Sequence, residues 1–423
     1  MKRLVSRLIL GLLARLACQV ARRGRIKLVG ITGSVGKTTA KEAIAQVLGG
    51  VFRVAKTPKN ANTEWGVMAV VINPGFRPVF TADGRAKITF GMALGLIARG
   101  LWQLVCPHRR EDVLVLELAA DRPGDIKFFN QFLAYDVVAI TNIGQVHLEF
   151  YDNWEQLRDE KLSLIDGVKS GGLVIVNQQL RQYVDTERLN YRLLRCQTFG
   201  QTDADMIGRD FELSEGTASY TIATPAGDIR IVAPHNRQMW LAAPIAALVG
   251  IEFGLHLDQI TKRLTSWVVP EGRFAVQPLA RGVVLINDAY NANPDSMRVA
   301  LQGLQDIAAG RGRRVAILGG MRELGSAHEA AHLELGRSVP HLADVLIAVG
   351  QEGELISEGA KLAGMPSERI YEIGWPATAT SVEAAARADD FYGLLQDNDT
   401  VLVKASNAIG LSGVAEALKQ RLN

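Results

Sequence analysis

The sequence predicts an α/β protein made of two successive units, each with a mostly parallel sheet. Strand-like apolar runs at Val113 to Leu118, Val137 to Thr141 and Leu173 to Asn177 are separated by helical or irregular stretches. A second series of such runs follows residue 272. Alternation of this kind is typical of a doubly wound sheet with helices on both faces.

Length and composition agree with this class. A chain of 423 residues exceeds one typical hydrophobic core, so two or three domains are expected. With 48% hydrophobic and 22% charged residues, extensive disorder is excluded. Cys18, Cys106 and Cys196 lack metal-ligand spacing, which indicates neither a disulfide framework nor a zinc site and favours the cytoplasm. A net charge of +3 argues against a nucleic-acid partner.

The first 24 residues form a predicted basic amphipathic helix. Leucines recur there at helical spacing, and arginines interrupt the apolar runs, which are too short for the roughly 20 residues that span a bilayer. A second apolar stretch, Phe90 to Val105, could complete one surface with this helix. Two interpretations stay open: contact with an anionic membrane, which would place the protein peripherally on its inner face, or coverage of the protein's own core or a partner.

Residues 30–39 read Gly-Ile-Thr-Gly-Ser-Val-Gly-Lys-Thr-Thr, between the apolar run 26–29 and a helix-like run 40–48. In such a turn, backbone N–H groups and the positive helix end face a phosphate, while Lys37 and Thr38 serve phosphate and Mg²⁺. The spacing is a narrower variant of the usual phosphate loop. It predicts binding of a nucleoside triphosphate in a P-loop domain. The residues predicted to bind it are Gly33, Ser34, Gly36, Lys37, Thr38 and Thr39.

Metal ligands are predicted at the ends of two strands. Glu117 closes one apolar run, and His147 follows another. Because the carboxyl ends of parallel strands meet at the ligand crevice, both side chains could reach the Mg²⁺ held by Thr38. Taken alone, His147 would more often be a structural histidine.

The rest of the chain predicts a small antiparallel extension and then a second, smaller Rossmann-like unit. Short alternating segments run from Phe211 to Val232, and a core helix follows near Trp240 to Val249. The boundary is expected near Gly272, giving a helix at 1–24, a central domain at 25–271 and a C-terminal domain at 272–423. The strands expected in the last unit are Val283 to Ile286, Val315 to Leu318, Val345 to Val349 and Val401 to Val403.

From about residue 26 onward, ordered motifs resemble those of the Mur ligases, which use ATP to join an amino acid or peptide amine to a carboxylate. The similarity is greatest to the branch that adds D-alanyl-D-alanine to a muramoyl tripeptide. The motifs are Thr32 to Thr38, Asn60 to Gly66, Glu117 to Asp121, Thr141 to Glu149, Gly272-Arg273, Asn287 to Met297 and Gly320 to Gly325.

The resemblance implies roles for individual residues. Glu117, His147 and Thr38 would hold metal ions, two Mg²⁺ in all, and Lys161 would carry CO₂ as a carbamate that orients the second ion. Arg273 would reach the phosphates from the second domain, so Lys37, Lys161, His147 and Arg273 form the implied catalytic set. Further nucleotide contacts are implied for Asn236, Asp288 and Asn291, and substrate contacts for Asn60, Asn62, Glu64, Lys404 and Ser406.

The sequence departs from the family pattern at several points. Only about 25 residues precede the first strand, so we expect the usual N-terminal UDP-binding domain to be missing. Met239 stands where the family has an asparagine facing the adenine. Gly320 replaces an aspartate, and Asn407 replaces an arginine suited to binding a carboxylate.

Three functions follow as hypotheses. The first is an ATP-dependent amide ligase that forms an acyl phosphate on a muramoyl peptide and adds D-alanyl-D-alanine or a similar amine. The second is a ligase for another acidic polymer, such as poly-γ-glutamate or a cyanophycin-like chain. The third is an inactive nucleotide-binding scaffold in cell-wall assembly. The block from Tyr290 to Asn293 favours the first, and the intact set of Lys37, Glu117 and Arg273 argues against the third.

Overall fold

A computed structural model describes residues 2–58, 61–80, 86–106, 111–144, 148–185, 191–197, 204–214, 217–234, 237 and 239–423. The helices are α1 Lys2–Gly24, α2 Lys37–Leu48, α3 Glu64–Ile72, α4 Phe90–Val105, α5 Asp125–Phe132, α6 Trp154–Leu162, α7 Met239–Glu252, α8 Leu257–Thr265, α9 Pro294–Ile307, α10 His328–Leu342, α11 Gln351–Leu362, α12 Ser381–Ala385, α13 Asp389–Tyr392 and α14 Leu411–Arg421. The strands are β1 Lys27–Thr32, β2 Val54–Lys56, β3 Val79–Phe80, β4 Ala86–Lys87, β5 Val113–Glu117, β6 Tyr135–Ile140, β7 Val168–Asn177, β8 Arg192–Gln197, β9 Met206–Ser214, β10 Thr217–Thr224, β11 Gly227–Pro234, β12 Ala275–Pro278, β13 Val284–Asn287, β14 Arg314–Leu318, β15 Val345–Val349, β16 Ile370–Ile373 and β17 Thr400–Lys404.

The first sheet has nine strands in the order β11-β10-β9-β8-β7-β6-β1-β5-β2. Within this order, all neighbouring strands between β2 and β9 pair parallel. Strand β10 pairs antiparallel with both β9 and β11, as the alternating pattern before Val232 predicts. Strand β1 lies between β5 and β6. The chain segments that follow these three strands therefore meet at one edge of the sheet, which brings the candidate site together.

Helices cover both faces of this sheet because side chains along each strand alternate between the faces. On one face, Val29 and Ile31 of β1 pack with apolar residues of α2 and α7. On the other face, Leu28 packs in a cluster with residues of α1, α3 and α5. Both clusters are buried, so the predicted α/β class with a mostly parallel central sheet is confirmed.

The second sheet has six strands in the order β12-β13-β17-β14-β15-β16. Only β12 pairs antiparallel, with β13, and the remaining pairs are parallel. Each run predicted for this unit is a buried strand, and two apolar clusters flank the sheet. The Rossmann-like character predicted for this smaller unit is confirmed.

The N-terminal helix covers the protein core with one face. Leu13, Ala14 and Ala17 are fully buried among residues of α3 and α4. Along the same helix, Leu8 and Leu12 stay exposed. Among the described helices, none is long and apolar enough to cross a membrane.

Helix α2 starts earlier than its sequence predicts. The apolar periodicity becomes visible at Ala40, but the helix begins at Lys37. Gly36 caps it in a left-handed conformation, with φ of 84°, and this allows the chain to turn directly into the first helical residue. The lysine and the threonine of the motif therefore occupy the first turn of the helix.

The close packing of α10 on α11 gives a test of this fold. A Cβ at Gly336 in α10 would lie 2.1 Å from the carbonyl oxygen of Ile356 in α11, whereas one at Gly95 in α4 would have nothing within 4 Å. We expect Gly336→Ala to destabilise the protein by about 1–3 kcal/mol through forced separation of the helices. Gly95→Ala should be neutral or stabilising by up to about 1 kcal/mol. Thermal melts followed by circular dichroism would measure both, and equal melting temperatures would contradict the packing.

Candidate active site

The glycine-rich loop approaches its neighbours too closely for side chains. Gly33 has a φ of 144°, and a Cβ there would lie 2.1 Å from Oγ1 of Thr141. The ammonium of Lys37 donates to the carbonyl oxygens of Gly33 at 2.6 Å and Ser34 at 3.3 Å. The loop thus curls around its own lysine at the start of α2, a geometry suited to a phosphate.

The segment after β6 holds this loop in shape. Asn142 accepts hydrogen bonds from the loop at two atoms: its carbonyl oxygen from the Ser34 N–H at 2.8 Å, and its side-chain oxygen from the Val35 N–H at 2.7 Å. Thr141 donates its hydroxyl to the Val35 carbonyl at 2.6 Å. The phosphate loop is therefore fixed by the residues that lead toward His147.

Glu117 is the centre of the site. Both of its carboxylate oxygens lie 3.1 Å from the hydroxyl of Thr38. The ammonium of Lys41, one turn further along α2, lies 3.1 Å from the same carboxylate, and the side-chain amide of Asn62 donates to it at 3.4 Å. Since Glu117 is only 6% exposed, its charge is neutralised within the protein.

The charges around Glu117 control its protonation. Burial alone would raise the pKa of this carboxyl, but Lys41, Lys37 and Arg273 outweigh burial and lower the pKa to about 2. Burial lowers the pKa of Lys37, and the carboxylate of Glu117 opposes that shift. A carboxylate kept ionised at every physiological pH is a suitable ligand for a hard cation.

Arg273 links the two units at this point. Its guanidinium donates to the Thr38 hydroxyl at 3.1 Å and stacks on the Tyr290 ring at 3.9 Å. The Tyr290 N–H donates to the carbonyl of Gly272 at 3.2 Å, which anchors the linker beside the second unit. The arginine therefore reaches the phosphate loop from the start of the C-terminal unit.

Further contacts join the units around the site. Arg237 forms an ion pair with Asp306 of α9, with the shorter N–O distance at 2.5 Å. A Cβ at Gly144 would overlap the carboxylate of Asp295, so α9 begins directly against the segment after β6. These contacts hold α9 of the second unit against the first unit.

Lys161 of α6 points into the protein and is 1% exposed. Its ammonium lies 3.4 Å from the carbonyl oxygen of Ala120, which follows β5. Burial is the main cause that lowers the pKa of Lys161, to about 7, and Lys37 adds to it, whereas Asp121 and Glu160 oppose it. A substantial share of this amine is neutral at physiological pH.

Lys404 lies away from solvent in a buried ion pair. Its ammonium contacts the Asp288 carboxylate at 2.7 Å and the Asn291 carbonyl at 2.9 Å. The side chain therefore fixes the loop before α9. Ser406 is also buried, accepts from the Arg322 N–H at 3.0 Å and donates its own N–H to Gly320.

Three residues predicted for the site, Asn60, His147 and Asn236, lie outside the described residues. Glu64 is the first residue of α3 and is half-buried. Met239 starts α7 and is buried in the central core. Within the described part of the chain, no group of three or more histidine, cysteine, aspartate or glutamate side chains could hold a metal.

Three further residues of the site were not predicted from the sequence: Lys41, Asn142 and Tyr290. A signal existed for Lys41, because it lies three residues after Thr38 and so on the same face of α2. Asn142 and Tyr290 belong to the motifs shared with the Mur ligases. The contact of Asn142 with the phosphate loop and the stacking of Arg273 on Tyr290 depend on the tertiary fold. The structure brings Lys37, Thr38, Asn62, Glu117 and Arg273 together at one place.

Comparison with known proteins agrees with this geometry. A family model described as the Mur ligase middle domain matches residues 31–246, and one described as the Mur ligase, glutamate ligase domain matches residues 272–407. Together they cover most of the chain.

Individual proteins that are similar to this chain are also ligases. The UDP-N-acetylmuramoyl-tripeptide–D-alanyl-D-alanine ligase of Mycobacterium tuberculosis is 31% identical over 97% of this chain and 77% of its own length. The enzyme of that name from Bacillus subtilis is 31% identical over 93% of this chain and 76% of its own length. The crystal structure of MurF ligase from Thermotoga maritima in complex with ADP superposes with a TM-score of 0.76, at 25% identity, over 98% of this chain and 84% of that one.

The buried pair of Lys41 and Glu117 can be tested through stability. In Lys41→Met the carboxylate loses its nearest cation, so we expect a loss of about 3–5 kcal/mol at pH 7. In the native protein the pKa of Glu117 is about 2, below its ordinary value of 4.5, so its stabilising effect is present above pH 4.5 and is lost as pH falls from 4.5 to 2. The variant should show a smaller loss over that range.

Melting temperatures at a series of pH values would measure this effect. Lys127→Met is a matched control, because Lys127 is exposed on α5. The same melting temperature for both variants at pH 7 would refute the role given to Lys41.

Proposed function

The chain belongs to the Mur ligase family of ATP-dependent ligases, and we propose that it adds D-alanyl-D-alanine, or a similar amine, to the carboxylate of a muramoyl peptide. The observation that carries this proposal is the junction of Thr38, Glu117 and Arg273, where the phosphate loop, a central strand and the second domain meet. The named relatives, which are 31% identical to this chain over the aligned region, support the same reaction. Peptidoglycan precursor synthesis is the process to which those relatives point.

The proposed reaction has two steps. A substrate carboxylate attacks the γ-phosphate of ATP, so that an acyl phosphate forms and ADP leaves. The amine then attacks the acyl carbon, and phosphate leaves while the amine gives up a proton. Lys37 precedes Thr38 in the first turn of α2, and Arg273 contacts the Thr38 hydroxyl, so both cations would offset charge on the transferring group. The second domain would exclude water while the amine approaches.

The oxygen donors of the site fit Mg²⁺. A threonine hydroxyl and a buried, ionised carboxylate converge at Thr38 and Glu117, and Mg²⁺ prefers hard oxygen ligands. When bound, the ion would neutralise charge on the phosphates. Glu117 is held for this role by Lys41 and Asn62. His147 remains a proposed additional ligand.

Lys161 is proposed to react with CO₂: its neutral amine nitrogen forms a bond to the carbon, one proton leaves to solvent, and the side chain becomes a carbamate. The reaction needs a neutral amine, and burial supplies one by lowering the pKa of Lys161 to about 7. The product would exchange a buried cation beside Lys37 for an anion able to hold a second Mg²⁺. Among the described residues, the buried ammonium of Lys161 donates a hydrogen bond only to the Ala120 carbonyl, at 3.4 Å, and this weak pairing supports the proposal.

Other assignments follow the domain division, which we place at residues 25–271 and 272–423. Asn62 and Glu64 are proposed to lie near the first substrate, while Asp288 and Asn291 shape the nucleotide side of the second domain. Lys404 would act through Asp288 rather than by touching the substrate, given their 2.7 Å ion pair. The proposed location is the cytoplasm, at the inner face of the cell membrane.

Phosphate release tests the ligase directly. The purified protein would be given ATP and Mg²⁺ with UDP-muramoyl tripeptide and D-alanyl-D-alanine, and each peptide substrate would be omitted in turn. We expect release only with both, because the amine step regenerates the free site. Steady release without the amine, or none with both while ATP still binds, would reject this substrate pair.

The carbamate is tested by Lys161→Ala, with Lys127→Ala as an exposed control. We expect Lys161→Ala to lower turnover at least about a hundredfold, through loss of one metal ligand, and to leave ATP affinity nearly unchanged. In the unaltered protein, the activity at limiting CO₂ should rise as pH increases through about 7, because the neutral amine then becomes the main form. Isotope-labelled bicarbonate should give a carbamate signal by NMR. Full activity in Lys161→Ala would exclude the carbamate.

A further inference from the structure

We propose that α1 and α4 together form a flat surface that binds an anionic lipid bilayer. The surface, called here the α1/α4 face, consists of the exposed apolar residues of both helices and the arginines beside them. Its apolar members are Val5, Leu8, Leu12, Phe90, Leu94, Leu101, Trp102 and Val105. This inference is independent of the ligase proposal and goes beyond it, because the proposed reaction assigns no role to these residues.

The two helices lie side by side and run in the same direction. A Cβ at Gly100 of α4 would lie 3.4 Å from the side chain of Leu16 in α1. Seven residues further along α1, the guanidinium of Arg23 donates to the carbonyl oxygen of Leu104 near the end of α4. The helices are therefore joined through their C-terminal halves, and their outer residues are neighbours on the protein surface.

The exposed apolar residues form a row on each helix. On α4, Phe90, Leu94, Leu101 and Val105 are spaced by four, seven and four residues, which places them on one side. Phe90 is 65% exposed and Val105 is 81% exposed. On α1, Leu8 is 66% exposed and lies on the same side as Leu12. Contiguous apolar exposure of this kind marks a binding surface.

The charge of this face selects its partner. Neither helix contains an acidic residue, and the first acidic residue of the whole chain is Glu42. Arg15 follows Leu8 and Leu12 on one side of α1, and Arg7, Arg22 and Arg23 are exposed on the same helix. Two copies meeting through this face would bring like charges together. An anionic bilayer instead accepts apolar side chains and attracts the arginines.

The shape of the face also fits a bilayer surface. The opposite side of α1 is committed to the core, with Leu13 and Ala17 fully buried, so this helix can lie flat on a membrane but cannot insert across it. Trp102 is half exposed near the C-terminal end of α4, and tryptophan is typical of side chains at a membrane interface. The protein would thus bind peripherally, with its first helix parallel to the surface.

Vesicle flotation with the full chain tests the proposal. We expect the protein to float with vesicles of phosphatidylcholine and phosphatidylglycerol, to float poorly with phosphatidylcholine alone, and to be released as salt rises. The triple variant Leu8→Asp, Phe90→Asp, Val105→Asp should bind at least about tenfold more weakly. The matched control Val268→Asp, Leu362→Asp, Val382→Asp changes three residues of similar exposure elsewhere and should bind like the unaltered chain.

Either of two results would overturn the proposal. One is an unaltered chain that stays unbound with anionic vesicles at low salt. The other is a face variant that floats as well as its control. If the unaltered chain were dimeric by light scattering, the face variant monomeric and both unbound, the surface would be an interface between protein chains. Phosphate release measured without vesicles would be unaffected in each case. Failure of the membrane proposal is therefore distinct from failure of the ligase proposal.

Discussion

The ionised, buried carboxylate of Glu117 is the constraint on which the site depends. It ends β5, contacts Thr38 at the start of α2 and pairs with Lys41 one turn later. A buried charge is tolerated only when its partners are in place, so the strand and the helix must keep this spacing. The position of the phosphate loop follows, because the same first turn of α2 ends the loop.

Arg273 extends this constraint to the second domain. It contacts Thr38 and stacks on Tyr290, while the buried pair of Lys404 and Asp288 supports the loop that carries the tyrosine. Three elements distant in sequence are therefore coupled through charged groups that lie within a few ångströms of each other. Movement of the second domain would displace a contact of the phosphate loop, because the Arg273 guanidinium contacts both Thr38 and Tyr290.

Much of this arrangement could be predicted from the sequence. The phosphate loop, the strand ending in Glu117 and the second unit after Gly272 are local patterns, and periodicity identifies them. The neutralisation of Lys404 by Asp288 could not be predicted, because the pairing joins residues far apart in the chain. Periodicity also does not predict the first turn of α2, because that turn depends on the left-handed conformation of Gly36. It does not predict the role of Asn142 either, because the hydrogen bonds of Asn142 require β6 to lie beside β1.

Helix α1 covers the core with one side and contributes to the α1/α4 face with the other, and this has a consequence for truncated forms of the protein. Its inner side chains, Leu13, Ala14 and Ala17, are fully buried, and they cover the apolar helix α3. Removing the helix would take away one covering layer of the core and expose apolar residues that now pack against it. Aggregation would follow from the truncation itself. Solubility has to be improved by substituting exposed residues on the outer side of the helix while the helix is kept.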